Sequence, residues 1–310
     1  MEANTENKLM RTSVTDDLFT HKPISPLIEM GAYEHLWLQP KATFKRIAEL
    51  FKDNPERLPS ELIANEGEAR ELSEKLLKLI KTDDAVNFGI RVFGSIDYPE
   101  KLRDAVYPIE LLYYKGNWDL THTCGVAVVG TRKPSSEGIK RCQKLSKQLV
   151  DSGLTVISGL AEGIDTIAHT TAIEAGGNTI SVIGTPITDY YPAKNRTLQD
   201  RIAKDHLLIS QIPILKYQSQ DWRFNRVFFP ERNKTMSALA DATVIVEAGE
   251  TSGTLIQARA AFTQGRKLFI LESCFQNPSI TWPAKFEKKG AIRVKEISDI
   301  TDALLDNDNM

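Results

Sequence analysis

Residues 125–165 read GVAVVGTRKPSSEGIKRCQKLSKQLVDSGLTVISGLAEGID, and this stretch decides the fold. It holds two short apolar runs rich in Val and Ile, at 125–129 and 154–158, and each runs into a loop that carries glycine. Between them Ile139, Cys142, Leu145 and Leu149 recur at helical spacing, with Lys140, Lys144 and Lys147 on the opposite face. Strand, helix, strand in that order predicts a parallel pair joined by a crossover helix. Runs at 179–183, 207–212, 243–247 and 267–271 continue the alternation, and most of the gaps can hold a helix. The expected fold class is α/β, a doubly wound, mostly parallel sheet with helices on both faces and a small N-terminal helical domain.

Outward from this stretch, four segments are expected. Residues 1–24 show little periodicity and read as a flexible arm. Residues 25–84 form a small helical domain, in which Phe44, Ile47, Leu50 and Phe51, then Leu72, Leu76, Leu77 and Ile80, keep helical spacing around the breakers Pro55 and Pro59. The α/β domain occupies 85–295, led in by β-rich runs at Ile90–Phe93 and Leu111–Tyr114 on either side of a short helix opened by Pro99. Residues 296–310 form an acidic C-terminal tail.

The chain has 310 residues, more than the ~100–200 of one typical domain. With 41% hydrophobic and 26% charged residues it can bury a sizeable core. Lys plus Arg number 39 against 41 Asp plus Glu, for a formal charge of −2, which excludes a uniformly basic coat. Any polyanion site must be local. Cys124, Cys142 and Cys274 stand far apart, with no CxxC pair and no His at ligand spacing, so neither a disulfide framework nor a metal site is expected, and no cofactor. No run approaches the ~18–20 apolar residues of a membrane span, and the polar N-terminus has no apolar leader core; the expected location is cytoplasmic, with no membrane partner.

In open parallel sheets ligands bind beyond the carboxyl ends of strands, where helix N-termini offer free N–H groups to anions. Three strand ends fit. The first, GVAVVG-TRKPSSEG, supplies Gly130, Arg132 and Lys133 before a helix that Ser135 can cap; an ordinary strand-to-helix turn with a surface Arg has the same look. The second, ISGLAEGID, places Ser158, Gly159, Ala161 and Gly163 at a junction where small residues let a ligand approach the backbone, or where glycine merely permits helix packing. Asp165 there would repel a phosphate and is expected to order the loop, and His169 is expected to pack. The third, EAGETSGT, sets Ser252, Gly253 and Thr254 before an Ala-rich helix. Three such loops point to one shared anion-binding cleft.

Charge points to the same place. Arg132–Lys147 holds six basic residues and one acid, and Lys194–Lys234 holds nine and four, with Tyr217, Trp222, Phe224, Phe228 and Phe229 interleaved. Cations neutralise a phosphate backbone while aromatic faces stack on unpaired bases, so this is the composition of a single-strand groove. A solvated helix face beside a core-packing loop has the same composition. Of the adjacent Phe228 and Phe229, only one is expected to stack. Arg232 is expected in a loop beside Pro230, where it could hold a phosphate or form a structural ion pair with Glu231 or Asp241.

VVGTRKPSSEG, ISGLAEGIDTIAH, YPAKN at 191–195, FFPERNK at 228–234 and VEAGETSGTLIQARAA at 246–261 together resemble the DNA-processing protein A (DprA/Smf) family. The resemblance implies a Rossmann-like domain and a non-enzymatic, dimeric protein with no catalytic residues. Such a protein binds single-stranded DNA in a basic pocket and helps load a RecA-type recombinase during recombination or DNA-mediated transformation. Arg132 matches the pocket arginine, and Arg232 with Asn233 matches the family's Arg-Asn-Arg signature; Lys194 falls in the YPAKN stretch. Lys234 replaces the second arginine of the signature, keeping charge but losing the planar fork. Ser210-Gln211 stands for the usual Ser-Glu, and Leu271-Glu272-Ser273 for Pro-Gly. The chain is expected to lack the C-terminal winged-helix-like domain of many members.

Two rival functions remain at this level. One is a nucleotide-processing hydrolase similar to lysine-decarboxylase-like proteins, although Gln257 falls where their catalytic glutamate would be, and an amide cannot serve as an ionised carboxylate. The other is a nucleotide- or DNA-sensing regulator of a toxin or phage-defence effector partner.

Overall fold

A computed structural model describes residues 24–80, 88–95 and 97–305. The arm up to residue 23, residues 81–87 and the end of the acidic tail, 306–310, lie outside the described residues. The chain opens with α1 (Pro26–Leu38), α2 (Phe44–Asp53) and α3 (Glu66–Ile80). The strands are β1 (Phe88–Val92), β2 (Leu111–Gly116), β3 (Gly125–Gly130), β4 (Thr155–Ser158), β5 (Thr179–Ile183), β6 (Leu207–Ser210), β7 (Ala242–Glu247), β8 (Lys267–Leu271) and β9 (Ile292–Val294). Between them run α4 (Ser136–Asp151), α5 (Ile164–Glu174) and α6 (Arg196–Asp205), then α7 (Ile214–Ser219), α8 (Trp222–Asn225), α9 (Phe228–Leu239) and α10 (Thr254–Thr263). Every strand expected from the apolar runs is present, with ends shifted by at most two residues at 207–212.

The nine strands among the described residues join one sheet in the order β1-β2-β6-β5-β4-β3-β7-β8-β9. From β6 to β9 neighbours are parallel, while β1, β2 and β6 pair antiparallel. The chain steps outward from β3 through β4 and β5 to β6, then returns to lay β7 against β3. The carboxyl ends of β3 and β7 are thus the point where the winding reverses, and the sheet opens a crevice there. Their ladder also breaks there: Val129 faces Ile245 but Gly130 faces Glu247, so β7 carries one extra residue at the crevice.

Alternation along the strands builds the core. Val126, Val128, Val244 and Val246 point to one face and pack on Cys142, Leu145 and Leu149 of α4 and Ala168 of α5. Ala127, Val129 and Ile245 point to the other, against Met236 and Leu239 of α9 and Leu255 and Ala258 of α10. Leu149 is fully buried, so cutting it to Ala costs about 2–5 kcal/mol.

The N-terminal helices bury their apolar faces on the sheet as well as on each other. Met30, Trp37, Phe51 and Leu76 share one core with Leu111 and Tyr113 of β2, Leu208 of β6 and Ile183 of β5. The physical reason is that this end of the sheet carries apolar residues on both faces and must be covered twice. Glu34 of α1, wholly buried, fixes the junction: it accepts from Tyr113 Oη at 2.5 Å and from the backbone N–H groups of Ile214 at 2.6 Å and Leu215 at 3.0 Å. It thereby caps α7.

Candidate functional site

The loops after β3, β4 and β7 do converge. Gly130, Arg132, Ala161, Asn233, Ser252, Gly253 and Thr254 line one cavity of about 220 Å3 over the β3/β7 crevice. A second, of about 200 Å3, lies beside it and is lined by Arg132, Lys133, Gly159, Ala161, Phe229 and Arg232, with Gly184, Tyr191 and Pro192. Arg132, Ala161 and Arg232 line both, so the two are lobes of one site.

Local sequence explains the shape. Leu160 is held at φ +59°, a left-handed conformation uncommon outside glycine, and it is fully buried. The turn is over-determined by two side chains. Asp165 accepts from Gly159 N at 3.2 Å and Ala161 N at 3.3 Å, and Asn195 donates from Nδ2 to the Leu160 carbonyl at 2.9 Å. Asp165 therefore orders the loop, as expected of it. Burial pushes its carboxyl above the usual carboxylate range, while the Arg232 charge and the two amides pull it back. Gly163 sits at φ +77°, where a Cβ would collide with the backbone of Thr131 and Arg132, and the next residue, Ile164, donates its N–H to the Thr131 carbonyl at 3.2 Å. The second loop is thereby tied to the first. In the first loop Ser135 caps α4 through Gly138 N at 3.0 Å.

Arg232 is the pivot of the site. The sequence expectation of a loop beside Pro230 is corrected here: Arg232 lies on α9, because Pro230 falls in the first turn of that helix, where a missing N–H costs nothing. The residue is only 5% exposed. Nη1 donates to the carbonyls of Gly159 and Val182, and Nε donates to Asn233 Oδ1 at 3.0 Å. Nη2 makes no hydrogen bond among the described residues, and the side chain borders both lobes. Burial pulls its pKa down to about 10, and the Asp165 charge opposes that, so it stays cationic at neutral pH. Arg132, by contrast, is exposed and makes no hydrogen bond or ion pair among the described residues. One cation is fixed and one is free at the mouth.

Eleven of the seventeen expected site residues line the two lobes, and six do not. Ser158 is buried and donates to the Val128 carbonyl at 2.7 Å, so it is a core residue. Ser135 is held by Glu247, which accepts from its N–H and Oγ, and Gly163 acts through backbone packing. Lys194 pairs with Glu162 at 2.7 Å. Lys234 turns to Glu231 at 2.7 Å and lies over the Tyr107 ring, so replacing arginine there leaves the lobes untouched. Phe228 is buried against Phe44 of α2 and Tyr217, while Phe229 faces the lobe beside Tyr191, ring centroids 5.2 Å apart. One ring is core and one is available, as two adjacent aromatics usually divide. His169 is wholly buried, with Nδ1 2.7 Å from Thr179 Oγ1, and burial pushes its pKa down to about 3. It packs. Gln257 is buried at the wall of the first lobe and donates to Thr243 Oγ1 at 3.4 Å.

Gly184, Tyr191 and Pro192 line the second lobe without having been expected as site residues, although Gly184 follows β5 just as Gly130 ends β3 and Gly159 follows β4. A Cβ there would lie 2.6 Å from the Phe229 ring, so this glycine makes room for the aromatic wall.

Residues 89–305 match the family model described as DNA recombination-mediator protein A. DNA processing protein DprA of Streptococcus pneumoniae is 40% identical over 181 residues, 58% of this chain and 62% of that relative. Its counterpart in Bacillus subtilis is 34% identical over 212 residues, 68% of this chain and 69% of that one. The match to the first thus spans less than two thirds of its length. Among solved structures, the S. pneumoniae protein superposes with a TM-score of 0.68 at 28% identity, covering 90% of this chain and 98% of that one. DNA processing protein A of Helicobacter pylori, whose structure describes its single-stranded DNA binding mode, superposes with 0.59 at 26% identity, covering 71% and 97%.

Proposed function

The chain belongs to the DNA recombination-mediator protein A family, and from that premise we propose that it binds single-stranded DNA in the two-lobed crevice at the carboxyl ends of its strands. The observation that carries this reading is the pairing of a fixed guanidinium, Arg232, and a free one, Arg132, with the half-buried ring of Phe229 in one lobe. Cations take the phosphate, and the ring offers a face to an unpaired base. A duplex hides its base faces, so this chemistry favours single strands.

The protein acts by binding rather than catalysis. Gln257 occupies the place of the hydrolase carboxylate and is an amide, and the Asp165 carboxylate is engaged by the amides of its own loop rather than held toward an attacking water. In keeping with the family resemblance, the working unit is a cytoplasmic homodimer that hands DNA to a RecA-type recombinase. Fluorescence anisotropy with labelled oligonucleotides tests the core claim: single strands bind more tightly than duplex, and log K falls linearly with log salt by ~0.7 per neutralised phosphate. Equal affinity for duplex, or a flat salt response, rejects it.

A further inference from the structure

The most exposed rings of the described molecule do not lie in the crevice. Trp222 (59% exposed), Phe224 (66%) and Val227 (60%) fall within six residues, on α8 and the residue that opens α9. Leaving three large apolar groups in water is unfavourable, and such a cluster marks a contact surface. The cations beside it lie against the indole and, among the described residues, carry no counter-charge. Arg226 Cζ lies 4.7 Å and Arg223 Cζ 5.7 Å from the indole centroid, and among the described residues neither guanidinium has a hydrogen bond or a carboxylate partner. The acid between Lys216 and Arg226 is Asp221, whose carboxylate accepts from Arg223 N at 2.8 Å to cap α8. A cavity of about 370 Å3 opens next to the patch, lined among others by Phe224, Val227, Lys216, Lys45 of α2 and Glu231, whose carboxylate is paired with Lys234. The patch adjoins the site in the chain: Val227 is exposed, Phe228 is buried and Phe229 lines the crevice, so a strand leaving the crevice passes around the start of α9 to reach it.

We propose that this face carries the unpaired bases of the same DNA strand after it leaves the crevice, with Trp222 and Phe224 as stacking platforms and Arg223 and Arg226 on the phosphates. The proposal rests on the single-strand reading of the crevice. Rings alternating with unpaired guanidinium groups match a polymer that alternates π faces with phosphates, whereas an apolar protein helix would leave both charges unanswered. A duplex would leave the rings unanswered.

The test measures binding of the full chain to labelled oligothymidylates of about 6 and about 20 nucleotides, lengths that bracket a single short site and an extended one. The wild-type protein should bind the longer strand at least about tenfold more tightly. A Trp222→Ala/Phe224→Ala variant should lose at least about fivefold on the long strand while matching the wild type on the short one and in melting temperature. Trp222→Phe, which keeps a ring, should restore most of its share. Arg223→Ala/Arg226→Ala should shallow the salt slope for the long strand alone. A wild-type protein that gains nothing from length overturns the proposal. So does a ring variant that binds the long strand normally, which would give the patch to a protein partner, or one that weakens on both lengths alike. Failure of the wild type to bind either strand rejects the crevice reading as well, so the two failures are distinguishable.

Discussion

Arg232 Nη1 donates to the carbonyl oxygen of Val182 at 2.7 Å, so the cation that lines both lobes also closes the end of a strand. The sequence posed a choice between a structural and a ligand arginine; the geometry shows the structural role, and the proposed binding mode adds the other. Arg232→Ala should lower stability by about 2–4 kcal/mol, since two buried carbonyls lose their donor. Thermal or urea unfolding measures it. Binding should fall further than the folded fraction accounts for, because Nη2 is lost too. An unchanged melting temperature contradicts the assignment.

Arg132 separates the two effects. Exposed and unpaired, it should leave stability within about 0.5 kcal/mol when changed to Ala. Affinity for single strands should fall, and the salt slope should shallow by ~0.7 per phosphate contact removed. A variant with wild-type affinity and slope shows that this arginine is an ordinary turn residue.

Phe228 and Phe229 make a matched pair of probes. Phe229→Leu should weaken single-strand binding by the ~1–3 kcal/mol of one stacked base with little change in folding. Phe228→Ala should cost about 3–5 kcal/mol of stability, because that ring is buried among Phe44 and Tyr217. The reverse pattern, with Phe229 stabilising and Phe228 binding, would exchange their roles.

Gly159→Ala tests the close packing of the site. A Cβ there would stand 2.3 Å from Arg232 Nη1 and 2.5 Å from its Cζ. The guanidinium has no slack, being tied to two carbonyls and Asn233, so overpacking should cost about 1–3 kcal/mol. DNA affinity should drop at the same time. Isothermal titration beside a melting curve checks both, and unaltered binding shows that the guanidinium can move without consequence.

Glu34 gives a pH dependence. Burial raises its pKa to about 7 against three hydrogen bonds that favour the ionised form. A carboxyl whose folded pKa lies above its unfolded value contributes stability that is complete below about pH 4.5 and is lost as pH rises through about 7. Its share over that window is at most about 3 kcal/mol. Glu34→Gln removes the titration, so the part of the fall in melting temperature between about pH 5 and pH 8 that this group sets should disappear. An identical pH profile in the variant shows that Glu34 does not titrate there.

Much of this molecule was legible from its sequence, for physical reasons. Val126 and Val128 alternate with Ala127 and Val129, and an unbroken apolar run of that length announces a strand buried on both faces. The three glycine-bearing loops converge because parallel strands put all their carboxyl ends on one edge. What stayed hidden was side-chain direction. Lys234, Lys194 and Phe228 have the composition of ligands, yet Glu231, Glu162 and Phe44 claim them; Glu231 is the i,i+3 neighbour of Lys234 on α9, whereas Glu162 and Phe44 lie on distant segments. Arg232 was misplaced because proline reads as a breaker, while in the first turn of a helix it is tolerated. The continuity of the helical segment with the sheet was likewise invisible, since the periodicity of its helices shows that they bury a face but not against what.

Gly125 N donates to Asp241 Oδ2 at 2.7 Å across 116 positions of chain. The two strands that flank the crevice are therefore far apart in synthesis. A ribosome that has extruded β3 through β6 has made a sheet whose β3 edge is bare, and such an edge invites pairing with the wrong strand. The late arrival of β7 closes that edge and brings in the loop that walls the first lobe. An incomplete chain thus lacks Ser252, Gly253 and Thr254 of the first lobe, while every residue lining the second precedes β7, so the two halves of the crevice are made at different times.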